Sequence, residues 1–122
     1  MRRAALPALL VVLAGPVLAE PWTCAFTVEC EASEGCADAG LDLQVIAADH
    51  AGDLFLASVT GTSPITRLTA AGAMPATYAS AGRAGVAELL TIEADRTALL
   101  TLHIFDGAAA AITYFGTCEE LT

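Results

Sequence analysis

Trp22-Thr23-Cys24-Ala25-Phe26-Thr27-Val28-Glu29-Cys30-Glu31 is the stretch from which the fold is read. Trp22, Cys24, Phe26, Val28 and Cys30 occupy one face of this pattern; Thr23, Ala25, Thr27, Glu29 and Glu31 occupy the other. An extended chain sends successive side chains to opposite faces, so the alternation describes a half-buried strand. It predicts that Cys24 and Cys30 both point inward. Near the far end of the chain Ile112, Tyr114, Gly116 and Cys118 also share a face. Four cysteines allow three connectivities. Strand parity selects Cys24–Cys118, which joins the first strand to the last, and Cys30–Cys36, which closes a small loop through Glu34-Gly35. In the chain-entropy account the long bridge contributes about 4–5 kcal/mol and the short one less.

Between these ends, alternation and turn residues divide the chain into short strands. Glu34-Gly35 and Asp38-Ala39-Gly40 read as turns, and Leu41 to Ala47 as the second strand. Asp49-His50-Ala51-Gly52 turns the chain into a third strand, Asp53 to Val59. Gly61 to Pro64 breaks it, and Ile65 to Thr69 forms a short fourth. Loop 70–85 is rich in Ala, Gly and Ser, and both a short strand around Thr77 to Ser80 and a flexible surface loop fit it. Order returns at Val86, where Leu90 and Ile92 alternate with Thr91 and Glu93. After Asp95-Arg96, Leu100, Leu102 and Ile104 alternate with Thr101 and His103. Asp106-Gly107 is the strongest two-residue hairpin signal, and Ala109 to Cys118 is the last strand. No alanine-rich piece carries an apolar stripe at helical spacing beyond about two turns. The expected fold is all-β: a small antiparallel meander of seven or so strands, stapled by disulfides and closing into a barrel or two-sheet sandwich. A bridge between first and last strands favours the barrel, with an interior filled by side chains.

Residues 1–19 read as a cleaved signal peptide. Arg2 and Arg3 precede an apolar run from Ala4 to Leu13, and Val17-Leu18-Ala19 is a small-residue cleavage site before Glu20. The expected product is one secreted β domain, 20–122, periplasmic or extracellular, where disulfides persist. Cys24 lacks a small-residue lipobox before it, which disfavours a lipid anchor. The whole chain has net charge −9. Without Arg2 and Arg3, three arginines stand against 14 acids, or −11, and there is no lysine. Nucleic acid and anionic membrane surfaces require a basic footprint and are excluded as partners. A cationic protein, peptide or metal ion would be attracted.

No catalytic constellation emerges. His50 sits in a turn beside Asp49, and His103 projects from the polar face of a strand; the two have no H-x-H or H-x-x-x-H spacing, and both read as surface histidines. Glu29, Glu31, Glu34, Asp38 and Asp42 form an acidic run, but no D-x-D-x-D-G calcium loop exists. The cysteines match no zinc ribbon or finger, form no C-x-x-C pair and have no basic neighbour in sequence, so neither metal binding nor thiol chemistry is expected. Gly82-Arg83-Ala84-Gly85 is too sparse for a phosphate loop. Trp22, Phe26, Phe105 and Tyr114 read as core or rim aromatics; a buried Tyr114 would need a hydrogen-bond partner. No cofactor is expected.

The inward cysteine soon after the signal, the terminal Tyr114-Phe115-Gly116-Thr117-Cys118 and the small antiparallel body resemble small periplasmic β-barrel proteins of the c-type lysozyme inhibitor kind. The resemblance covers Trp22 to Cys30 and Ile112 to Cys118. It implies a disulfide-linked barrel that blocks a cationic hydrolase. That family's loops carry a Ser-Gly-x-x-Tyr type sequence and a Tyr-x-Cys segment. Here Ser80 is followed by Ala81-Gly82, and Tyr114 stands four residues before Cys118, so no inhibitory residue is carried over. The resulting expectation is a non-enzymatic, exported, acidic binding module whose partner is a protein. A small-ligand carrier and an envelope structural or stress protein are the alternatives. The intact mass of the exported protein should correspond to a chain beginning at Glu20 and lacking four hydrogens relative to its reduced form, as mass spectrometry with and without reductant will show.

Overall fold

The computed structural model describes residues 20–48, 52–81 and 85–121. The signal segment 1–19 and the turn residues Asp49, His50 and Ala51 lie outside them, as do Gly82, Arg83 and Ala84. Eight strands follow one another as an up-and-down meander: β1 (Trp22–Glu31), β2 (Gly35–Ala48), β3 (Asp53–Ser58), β4 (Gly61–Arg67), β5 (Ala76–Ser80), β6 (Val86–Ile92), β7 (Thr97–Asp106) and β8 (Ala108–Glu120). Each pairs antiparallel with the next, and β8 pairs with β1, so the sheet closes into a barrel and leaves no open edge. No described residue is helical.

Alternation decides what fills the barrel. Trp22, Cys24 and Phe26 of β1 meet Leu43 and Val45 of β2, Leu56 of β3, Ile65 of β4, Ala76 and Tyr78 of β5, Leu90 and Ile92 of β6, Ala98 and Leu100 of β7, and Cys118 of β8. The Cys24–Cys118 disulfide lies inside this cluster between directly paired residues, and Cys30–Cys36 links β1 to β2 beside their turn. Two disulfides point to an oxidising, extracellular or periplasmic environment. No helix among the described residues is long and apolar enough to cross a membrane.

Three local readings change. Asp38-Ala39-Gly40 does not turn the chain: it lies within the 14-residue β2, which pairs with β1 from Gly35 to Val45. The pairing slips there, between Phe26 and Val28 on β1, and the slip is shared with β8. Thr27 is the extra residue of this bulge relative to β8, and an extra residue reverses the inside–outside parity of everything after it. Val28 and Cys30 therefore leave the interior, and Glu29 enters it. The expectation that Cys30 points inward beside Cys24 is thus corrected; Cys30 is half-buried and Cys36 exposed. Gly61 to Pro64, read as a break, forms the first half of β4, pairing with β3 from Gly61 opposite Ser58. Of the two forms that fit loop 70–85, the strand around Thr77 to Ser80 is the one present, as β5, whose Ala76 and Tyr78 are buried.

Gly116 faces the bulge. A Cβ there would run into the Ala25 carbonyl oxygen and come within 2.6 Å of Phe26 Cα, both backbone atoms that cannot swing away. Only glycine lets β8 approach β1 this closely. The ends of the described chain meet at one end of the barrel, where the Leu121 amide donates to the Pro21 carbonyl (2.9 Å).

The bridge lengths rank the two staples. The long one spans 94 residues of sequence separation and the short one 6. Replacing Cys24 and Cys118 together by serine should lower the unfolding free energy by about 4–5 kcal/mol, and the Cys30/Cys36 pair by about 2 kcal/mol. Urea denaturation of the two double variants measures the difference.

Candidate functional site

The barrel's two ends differ in chemistry. At the end holding Trp22, an internal polar network plugs the interior. Tyr78, 1% exposed, accepts hydrogen bonds at its hydroxyl from Trp22 Nε1 (3.1 Å) and Arg67 Nη2 (2.9 Å) and donates to Glu20 Oε2. One donor and two acceptor positions are thereby all used. Arg67 also ion-pairs with Glu20 and lies over the Tyr78 ring, 4.9 Å from its centroid. Its Nη1 is buried without a hydrogen-bond partner among the described residues. Burial raises the Tyr78 phenol above its ordinary range, against the opposing pull of Arg67 and of the Trp22 hydrogen bond. Arg96 braces the same end. It sits at positive φ (76°), makes a two-pronged contact with Glu120 (3.0 and 2.7 Å) and places its guanidinium 5.6 Å from the Trp22 ring centroid. That contact holds the Glu120 carboxyl below its ordinary range. This network stabilises the barrel, and nothing in it exposes a reactive group.

The opposite end is longer and acidic. β1, β2, β7 and β8 outlast their neighbours, and the β7–β8 hairpin continues past Ile112, the last β8 residue paired to β1. Beyond Ile104 it also passes the end of β6, so Phe105 to Ala109 form a projecting tip with Phe105 71% exposed. Gly85 makes this close approach feasible: its carbonyl accepts from the Phe105 amide (2.7 Å), and a Cβ at its φ of +78° would come 2.8 Å from the Phe105 carbonyl oxygen. An apolar hollow of about 500 Å³ lies beside the tip, walled by Val86, Ile104, Phe105 and Ala110.

Carboxylates surround this end. Glu29, Glu31 and Glu34 line a cleft of about 150 Å³ at the β1–β2 turn. Glu29 receives the Tyr114 hydroxyl (3.1 Å), which supplies the partner that a half-buried tyrosine needs, and Tyr114 meets Phe26 edge-on at 6.3 Å. Burial raises the Tyr114 phenol, and its hydrogen bond to Glu29 and the charges of Glu29 and Glu31 add to the rise. Glu88 stands inside the β6 wall, where its backbone amide donates a hydrogen bond to Ser80 Oγ (2.7 Å). Burial lifts its carboxyl above the ordinary range, partly offset by hydrogen bonds from Ser80 and Ser63.

The acidic run read from the sequence is therefore split. Glu29, Glu31 and Glu34 converge, whereas Asp38 and Asp42 are exposed on the outside of β2. His103 is exposed on the outer face of β7, opposite Ala87 and Ala111, and His50 falls outside the described residues. Among the described residues no three His, Cys, Asp or Glu side chains group so as to hold a metal ion. Sequence reasoning missed the Glu20–Arg67–Tyr78 network. Its members lie in three separate segments and only barrel closure unites them. Comparison with protein-family models, with curated proteins and with solved structures finds no match.

Glu88 gives a pH test. Its folded pKa is raised, so its contribution to stability is complete while the carboxyl is protonated and is lost as pH rises through the folded value. Glu88→Gln should shift the urea midpoint upward at neutral pH, and the gain should vanish below about pH 4. Denaturation curves of both proteins across that range measure it.

Proposed function

We propose that this chain is an exported, non-enzymatic binding module that docks a cationic protein at its acidic end. Inhibition of a basic hydrolase such as lysozyme is the specific form of this reading. The observation that carries it is the pairing of a carboxylate-lined cleft, Glu29, Glu31 and Glu34, with a projecting apolar hairpin at the same end of the barrel. Charge brings a basic partner to this end and orients it. The exposed Phe105 then offers an anchor of the kind that dominates binding energy at interface centres. The rigid, edgeless barrel keeps both elements in place before contact, which reduces the ordering cost of association.

The signal-like segment 1–19, the net charge of −9 and the two disulfides agree with service outside the cytoplasm, in the periplasm or medium. A small-ligand carrier draws less support, because the described interior around Trp22, Phe26 and Leu100 is filled by side chains.

Lysozyme activity measured with increasing amounts of the oxidised protein tests the proposal. Inhibition should weaken as salt rises, because the steering charges are exposed. Neutralising the cleft with Glu31→Gln and Glu34→Gln together, which leaves the Tyr114–Glu29 hydrogen bond in place, should weaken binding about fivefold, the sum expected of two surface ion pairs. Failure to inhibit the enzyme or to retain any basic protein from a periplasmic extract, at low salt as at high, would count against this function.

A further inference from the structure

We propose that two copies of this chain pair through the outer face of β6, β7 and β8. The register aligns the outward residues of these strands in rows that β1 extends. Val28, Phe115, Leu99 and Thr91 form one row, and Thr101 lies beside Leu89 in the next. Leu89 is 45%, Leu99 40% and Phe115 45% exposed. In an alternating strand these positions are where polar or charged side chains normally stand, and here large apolar ones stand there instead.

The middle of that face carries no formal charge, and the exposed Glu119 of β8 stands beyond its margin on the Trp22 side. From Thr97 to Phe105 on β7, and from Ala109 to Thr117 on β8, no outward position is Asp, Glu, Arg or Lys. His103, at the margin, is the one titratable side chain among them. In a molecule of net charge −9 this is a segregation of charge, because the acids among the described residues fall outside it. It identifies the occupant. A cationic partner selected by charge gains nothing from a surface without carboxylates. A second copy of the same acidic molecule is repelled wherever carboxylates face it, and meets least repulsion where neither copy presents one.

Closure of the barrel removes strand-to-strand addition at an edge, so contact is face to face. A two-fold axis through the centre of the face sets Phe115 of one copy against Leu99 of the other and buries both pairs at once. Strand spacing and rise give a face of roughly 500 Å² per copy, hence about 1,000 Å² buried in all. That area lies at the lower bound of specific interfaces, the range of weak, reversible association.

Sedimentation equilibrium of the oxidised protein is the test. A concentration-dependent dimer is expected, and it should tighten as salt rises toward about 1 M, where the Debye length shrinks to about 3 Å and the mutual repulsion is screened. Phe115→Asp and Leu99→Asp should each remain monomeric at concentrations at least about tenfold higher. Two disulfides by mass and a cooperative thermal transition establish that each variant folds; should either fail, Thr101→Glu places a carboxylate on the same face without altering its large side chains. A wild-type monomer at about 1 mM in high salt overturns the proposal, whatever else binds the face. So does a dimer that survives every folded variant, or one that salt dissociates.

Discussion

The pairing of β1 with β8 is the constraint on which the rest of this structure depends. Strands at opposite ends of the sequence are paired on both sides of the Thr27 bulge, with Cys24 opposite Cys118 and Trp22 opposite Glu120. Closing so long a loop costs conformational entropy that a thin core repays poorly, and the covalent bridge reduces that cost by restricting the unfolded chain. Once the strands are joined, each inward residue faces others across a closed interior. Trp22 and Tyr78, 56 residues apart, then share a hydrogen bond. Gly116 is part of the same constraint, because any side chain there would push β8 away from β1.

Much of this architecture was legible in the sequence, and the reasons are local. Period-2 alternation needs only neighbouring residues, so β1, β3, β7 and β8 could be read closely, and with them the Cys24–Cys118 pairing. What escaped depends on long-range pairing. Asp38-Ala39-Gly40 has turn chemistry, yet pairing to β1 on both sides of the slip, at Asp38 and again from Leu41, keeps it within β2. The bulge at Thr27 leaves no mark on the residue pattern, but it reverses parity and exchanges Cys30 for Glu29 on the inner face. β5 was ambiguous because its alanines and serine carry little periodic signal, and its burial is imposed by Tyr78 reaching across the barrel. At the acidic end the carboxylates were visible as a run, but which of them converge was settled by the β1–β2 register.

Charge is distributed by function of place. Acids gather at the cleft of β1 and β2 and around the turns, cations brace the Trp22 end, and the middle of the β6 to β8 flank has neither. Arg67 and Arg96, the two described cations, are both engaged with carboxylates, Glu20 and Glu120, at that end. Both poles are nevertheless acidic among the described residues, because Glu20, Asp53, Glu93, Asp95, Glu119 and Glu120 outnumber these two arginines at the Trp22 end.

The contact between Leu121 and Pro21 has a practical consequence for handling the molecule. Both extremities of the described chain emerge side by side at the pole occupied by Trp22. A tag, a fluorophore or a surface linker joined at either extremity would thus stand behind the barrel, and the hairpin pole would face outward to solution. The barrel presents itself with one fixed polarity whichever of these two described ends is used to hold it.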